Sequence, residues 1–271
     1  MTYTGFLQLE VGQKNNKTIV LDSFYDGVFK ITRPTYLSDH FPLITIIHVG
    51  GGYVDGDYYH TELTVGRGAS MALTTQASTK IYKSLRSGVM QTSNYYLNED
   101  SHLFIKQDPL ILYKQAKFIQ LSNVYMTRSS VFYYTDVVTP GWSEDGIPFQ
   151  YKKINAKMKI YVDGNLQVFD HLMLDTLSDL KSLMYLEGYT HIGTMFFIHR
   201  KVDEHFIANL REKLLIYSNK VRLGISLLSI KGFTIKVLAN STPMIETVFS
   251  ECENFIGEYL YQGRRIEWRK G

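Results

Sequence analysis

His60 and Glu62 stand two residues apart in the run Asp57-Tyr58-Tyr59-His60-Thr61-Glu62, and Asp55 and Asp57 precede them on either side of Gly56. An imidazole beside a carboxylate suits a borderline metal such as nickel or zinc, and a carboxylate from a preceding turn can join the set. Asp57, His60 and Glu62 are the candidate ligands. The same residues with Asp55 are also the ligands and base that a metal-dependent hydrolase would need. Both readings require an extended backbone after Asp57, placing Tyr59, Thr61, Leu63 and Val65 on one face and Tyr58, His60, Glu62 and Thr64 on the wetter other. The plain alternative is a solvated strand face beside an Asp-Gly turn.

Upstream, Gly50-Gly51-Gly52 suggests a phosphate cradle, but no Gly-Lys-Ser/Thr ending follows, and the next element alternates as a strand rather than opening a helix. A nucleotide site is not expected. Downstream, Thr74-Thr75-Gln76-Ala77-Ser78-Thr79-Lys80-Ile81-Tyr82-Lys83-Ser84 has no strongly apolar alternating set after Leu73. Small hydroxyl and amide groups there fit closely stacked strands, a wet conduit or a polar interface; the alternative is an exposed Thr/Ser-rich edge strand. The eight His, at 40, 48, 60, 102, 171, 191, 199 and 205, are scattered, and Cys252 is the only Cys. No compact His/Cys metal cage, nucleophile elbow or His-Glu-x-x-His helix is present, so transient contacts through carboxylate and hydroxyl fit better than a fixed site. His191 and His199 read as structural.

The elements that hold these residues are mainly strands. Twenty Tyr and 15 Phe in 271 residues suit pleated, half-buried surfaces. Asp-Gly pairs at 26–27, 55–56, 145–146 and 163–164 mark turns. Those at Asp26-Gly27 and Asp163-Gly164 have flanking strands, so antiparallel hairpins are expected to organise much of the fold. Helices are expected only in the last third. One of about four turns starts at an Asp203 N-cap with Ile207, Leu210, Leu214 and Leu215 on its stripe. The second starts at Thr242 with Pro243 at its first position and buries Ile245, Val248, Cys252, Phe255, Ile256 and Tyr259. A short helix around Thr176–Met184 is a weaker expectation. No fixed-period repeat or linker divides the chain, so residues 1–271 are expected to form one domain.

A net charge of +3 from 29 Lys+Arg against 26 Asp+Glu gives no strong field for polyanions. The basic end Arg264-Arg265-Ile266-Glu267-Trp268-Arg269-Lys270, with many Tyr, would suit stacking on single strands, but a solvated C-terminal tail with Tyr in the β core is the preferred reading, and no nucleic-acid partner is expected. The N-terminus lacks a secretory pattern and no apolar run approaches membrane-span length, so a reducing cytoplasmic location and no membrane contact are expected.

The order Gly50-Gly51-Gly52, Asp55-Gly56-Asp57, an alternating strand, Gly68-Ala69, then Thr75-Gln76-Ala77-Ser78-Thr79-Lys80-Ile81-Tyr82 resembles the signature of the urease accessory protein D family, called H in some organisms. The likeness extends to Glu187-Gly188-Tyr189-Thr190-His191-Ile192-Gly193 and from Leu223 through the terminal helix. The chain departs from the family pattern at Gln107–Lys114, where a second proline is missing, and at Pro140–Gly146.

The resemblance implies a mainly β fold with strands in a two-layered, helix-like coil and two α-helices in the C-terminal third. It implies a non-enzymatic scaffold required for maturation of urease by nickel insertion. Its partners would be urease accessory protein F, through it the accessory GTPase G, and apo-urease. No cofactor would be tightly bound, and nickel would be transient. The polar residues placed along a nickel passage or its supports are Asp55, Asp57, His60, Glu62, Thr75, Lys80, Tyr82, Ser84 and Glu187. A scaffold of this kind should also expose apolar surface that it buries only in complex.

Overall fold

The computed structural model describes residues 2–38, 41–175, 186–263 and 268. The chain opens with an antiparallel pair, β1 (Gly5–Lys14) and β2 (Lys17–Gly27), joined at Asn15-Asn16. Both asparagines have positive φ, 51° and 58°, the pair of left-handed residues that a tight hairpin needs. Asp26-Gly27 is therefore not the hairpin turn expected of it. Strand β2 runs through Gly27, and the chain crosses there into β3 (Phe29–Ile31), β4 (Thr35–Ser38) and β5 (Phe41–His48) of a second sheet.

From Tyr58 onward the chain winds. The strands β6 (Tyr58–Val65), β7 (Ser70–Thr75), β8 (Thr79–Ile81), β9 (Val89–Leu97), β10 (His102–Lys106), β11 (Leu110–Leu112), β12 (Lys117–Met126), β13 (Val131–Val138) and β14 (Lys153–Val162) alternate between the layers. In the first layer β1, β6, β9, β12 and β14 lie side by side in parallel. In the second, β5, β7, β10 and β13 do the same. Short pairings of Tyr53 with Ile81, β8 with β11, and Tyr113 with Trp142 form a narrow third side. The result is a β-solenoid of about four turns.

The expectation that antiparallel hairpins organise the fold is thus corrected. Asp163-Gly164 does join β14 to β15 (Asn165–Asp175) as a hairpin, and β15 and β2 flank the parallel core of the first sheet. Asp55-Gly56 and Asp145-Gly146, in contrast, are turns between elements of the coil. A positive φ serves a corner of a coil as well as a hairpin, so the dipeptide alone does not distinguish them. Register partners Tyr59, Gln91, Gln120 and Ala156 show the coil repeating in space without a fixed sequence period.

The second sheet is completed by antiparallel β16 (His191–Ile198), β17 (Arg222–Leu227) and β18 (Gly232–Ala239). Helix α1 (Glu204–Leu214) starts where expected, with the Asp203 carboxylate accepting the Phe206 N–H at 2.8 Å. Its 11 residues make about three turns. The chain then tightens into a 3-10 turn at Leu215–Tyr217, and Leu215, expected on the buried stripe, is exposed. Helix α2 (Thr242–Leu260) is preceded by Ser241 at the N-cap position assigned to Thr242 from sequence. It buries Ile245, Val248, Phe249, Cys252, Phe255 and Ile256, while Tyr259 at the end of the stripe is exposed. The helix suggested around Thr176–Met184 falls outside the described residues.

Two apolar cores result. One lies between the layers, with Leu7, Leu63, Val65, Tyr95, Phe132 and Phe196 among its members. The other joins the outer face of the second sheet to both helices through Phe197, Phe206, Phe233, Ile245 and Cys252. Close approach is possible because β16 has glycine under α2: a Cβ on Gly193 would lie 2.4 Å from the Ile245 side chain.

Candidate functional site

The acidic turn that opens the candidate site is saturated by its own neighbourhood. Asp55 accepts the backbone N–H groups of Leu85, Arg86 and Gly88 at 3.0, 2.7 and 2.8 Å. Those bonds, the one from Gly88 foremost, hold its carboxyl below the usual range. Asp57 accepts from Val54 N–H at 2.7 Å, from the Tyr59 hydroxyl at 2.7 Å and from the Thr4 hydroxyl at 3.1 Å. Both carboxylates therefore brace the coil, Asp55 by pinning the loop that enters β9 and Asp57 by tying β1 to β6.

The strand after Asp57 alternates as expected, with Tyr59, Thr61, Leu63 and Val65 turned inward. His60, expected on a wetter face, is 8% exposed because Tyr3 and Phe6 stack on it with ring centroids at 5.2 and 5.6 Å. Its Nε2 lies 3.5 Å from Glu62, on the outside of the sheet. Asp55, Asp57, His60 and Glu62 do not converge: among the described residues no three His, Cys, Asp or Glu side chains gather in metal-binding range. The arrangement needed by the hydrolase reading is absent there.

The hydroxyl-rich segment is not one strand and not an edge. β7 is an inner strand between β5 and β10, the chain bends at 76–78, and β8 begins the narrow third side. Thr74 is buried with its hydroxyl on the Lys106 carbonyl, and Thr75 exchanges hydrogen bonds with Asp108. Lys80 is exposed, and its carbonyl accepts from Tyr53 N–H. Tyr82 donates to the Gly51 carbonyl at 2.7 Å, and buried Ser84 accepts from Lys117 N–H at 3.0 Å. The glycine run is needed for closeness: Gly52 has φ +141°, and a Cβ there would meet the Lys80 carbonyl at 2.7 Å.

This segment and the glycine run border a cavity of about 240 Å³ between the layers, lined also by His48, Thr61, Gln91, Ser93 and Gln107. A second, tighter cavity of about 40 Å³ shares Thr79, Gln91 and Gln107 and continues past Gln120, Ser122, Tyr134, Asp136, Asp170 and Thr194. Both have mixed linings, with Phe118, Ile154 and Phe196 among the apolar walls of the second, and the polar side chains they share make a seam within the inter-layer core. On the first sheet Thr61, Ser93 and Ser122 fall in one register row, and Gln91 pairs with Gln120 in the next. On the second sheet Asp136 lies beside Thr194, and Thr194 beside Lys236.

The far end of the seam is charged. Lys236 donates to Asp170 at 2.8 Å and to the Thr194 hydroxyl at 3.2 Å. Tyr134 donates to one Asp136 oxygen at 3.1 Å, while the other, Oδ1, is buried with no hydrogen-bond partner among the described residues. Burial pushes the Asp136 carboxyl up, and the Lys236 ammonium partly opposes this.

Of the residues singled out from sequence, Thr75 and Lys80 line the first cavity. Glu187 sits in an exposed turn before β16 and pairs with Arg222 at 3.4 Å. His199 stacks on Phe197, and burial lowers its pKa to about 4. The seam residues Gln91, Ser93, Gln107, Gln120, Ser122, Asp136 and Asp170 were missed. Their signal was present as polar groups inside alternating apolar strands: Val89, Gln91, Ser93, Tyr95 and Leu97 match Phe118, Gln120, Ser122, Val124 and Met126 position for position.

The sequence matches the family model described as UreD urease accessory protein over residues 3–267. It is 42% identical over 270 residues to a protein named urease accessory protein UreD from Bacillus sp. (strain TB-90), covering all of both chains. Similar relatives of the same name occur in Lachnoclostridium phytofermentans, 37% identical over 99% of this chain and 96% of that one, and in Bacillus cereus, 34% identical over 98% of each. No helix among the described residues is long and apolar enough to cross a membrane. Full-length matching of this kind, on a solenoid with two terminal helices, places the chain in the UreD urease accessory protein family, whose members take part in urease maturation without being catalysts.

Proposed function

We propose that this chain, acting as one domain over residues 1–271, is a cytoplasmic scaffold that delivers nickel to apo-urease in a complex with urease accessory protein F and the GTPase G. The observation that carries this reading is the polar seam. A row of buried hydroxyl groups and half-buried amide and carboxyl groups is costly between apolar layers unless it is used or hydrated. Here it runs from the glycine-rich mouth to Asp136 and Asp170. Nickel is the cargo, held in passing by carboxylate, hydroxyl and water rather than by a cage. Asp55, Asp57, Tyr82 and Ser84 support the mouth through the hydrogen bonds described above, and Thr75 and Lys80 border it.

The test is urease activation in cells carrying a complete nickel-dependent urease operon, with this gene deleted and then restored. Abundant but nickel-poor, inactive urease in the deletion, rescued by the wild-type gene, supports the reading. Normal activation without the gene overturns it. The seam itself is tested by Gln91→Leu with Gln120→Leu: retained fold and complex formation with lost nickel loading supports transit through it, whereas full loading removes the seam from the route.

A further inference from the structure

The outer face of the first sheet carries large apolar side chains that nothing in the described structure covers. Met90, Tyr96, Ile119, Tyr125, Phe169 and Met173 are 38–54% exposed on β9, β12 and β15. Tyr96, Tyr125 and Tyr161 stack across three strands with centroids about 5 Å apart and planes within 14° of parallel. Met90, Ile119 and Met173 gather at one end of the face and the three tyrosines at the other, with polar rows between them; large apolar side chains exposed in this number on one sheet face mark an interface.

Glu10, Asp22, Asp26 and Glu62 lie toward the β1, β2 and β6 side, with Lys14 and Lys17 only at the hairpin end, and Lys153, Lys157 and Lys159 lie on β14, with Asp175 beside Lys153 at the strand end. One register row crosses the face as Glu62, Asn94, Asn123, Lys159. Its two central amides are hydrogen-bonded at 2.9 Å. The row is acid, amide, amide, base, a pattern complementary to itself when rotated by half a turn about its centre. Among the described residues no ion pair neutralises Lys159, and the Glu62 side chain is 39% exposed.

We propose that this face binds a second copy of the chain about a two-fold axis through the Asn94–Asn123 pair, setting Glu62 against the partner's Lys159 and Lys159 against the partner's Glu62. Isologous pairing needs a patch complementary to itself, and the charge order supplies one. The area suffices: seven strands at ~4.8 Å spacing and roughly eight residues at ~3.3 Å give a face near the ~800 Å² per partner of a stable interface. Sheets can stack in this way with side chains interleaved over ~10 Å.

The test is sedimentation of the full-length protein, without nickel or other proteins, over a concentration series. The expected result is a dimer for wild type, at least roughly tenfold weaker association for Glu62→Lys and for Lys159→Glu because each sets like charges together at both symmetric contacts, and recovery when the two variants are mixed. Mixing restores opposite charges at both contacts, a result that general damage to the fold cannot produce. For material that sediments poorly, Asn123→Cys with a short bismaleimide in cells replaces the measurement, since the native Cys252 is fully buried. Cross-linked homodimer is expected there and none from Ser218→Cys on the opposite side. A wild-type monomer, charge reversals without effect, mixing without recovery, or cross-linking equal at both positions would each overturn the proposal, including the case in which another protein occupies the face.

Discussion

The Tyr59 hydroxyl donates to Asp57 at 2.7 Å while the Tyr59 ring stacks 3.7 Å from that of Tyr53, so one buried side chain joins the acidic turn to the glycine-bordered mouth of the seam. Asp57 raises the Tyr59 pKa beyond what burial already does, which keeps the phenol a donor at all ordinary pH values. Tyr59→Phe is expected to lower unfolding free energy by about 1.5–3 kcal/mol, the range for a hydrogen bond to a charged group. Denaturant melts check this. Asp57→Ala, which loses three bonds, should destabilise further, and its effect on urease activation should follow the amount of folded protein.

Asp136 gives a pH dependence of defined sign. Its folded pKa is above the ordinary 3.8, so the folded state binds more protons than the unfolded state between 3.8 and the raised value. Stability contributed by the neutral carboxyl is therefore lost as pH rises through that window. Asp136→Asn should remove this slope and be more stable than wild type at neutral pH. A melt series from pH 4 to 8 on both proteins would expose an error, since parallel curves are incompatible with a raised carboxyl.

Gly193→Val should be among the most damaging single changes outside the seam. A Cβ at 2.4 Å from Ile245 and 2.8 Å from Phe249 forces α2 off the sheet, and overpacking of this sort costs about 1–3 kcal/mol. Thermal melts should show the loss, and Ile245→Ala should partly relieve it in the double variant.

Cys252 is fully buried on α2, and burial raises its thiol well above the ordinary value. It should resist thiol reagents in the native protein and react once in denaturant, with native labelling no faster than global opening. Rapid labelling of the folded chain would contradict the packing of α2 on the second sheet.

Helices were legible because their signals are local: the Asp203 cap and the stripe of Ile245, Val248 and Cys252 need only the 3.6-residue period. The solenoid was not, because Asp26-Gly27 and Asp163-Gly164 look alike and only one closes a hairpin. Parallel pairing of β6, β9, β12 and β14 joins segments separated by long connections, and nothing within a single strand names its partner. The resemblance to a family supplied the coil where pattern reading could not. The acidic turn is visible in the sequence as Asp55 and Asp57, yet the backbone N–H groups that occupy Asp55 come from residues 85–88, remote in sequence. Gln120, Ser122 and Asp136 were readable in principle as polar breaks in apolar alternation, but each break looks accidental until the register aligns them.

Register also fixes a length. Each added coil carries the seam onward by one strand spacing, ~4.8 Å, whatever the size of the loops between strands. The distance covered by the inner polar row is thus a whole number of rungs, set by how many times the chain winds. Loops such as Pro140–Gly146 can lengthen or shorten on the outside without altering it. Insertion of a complete coil would extend the seam and carry the terminal helices outward by the same step, so that its reach changes only in discrete increments.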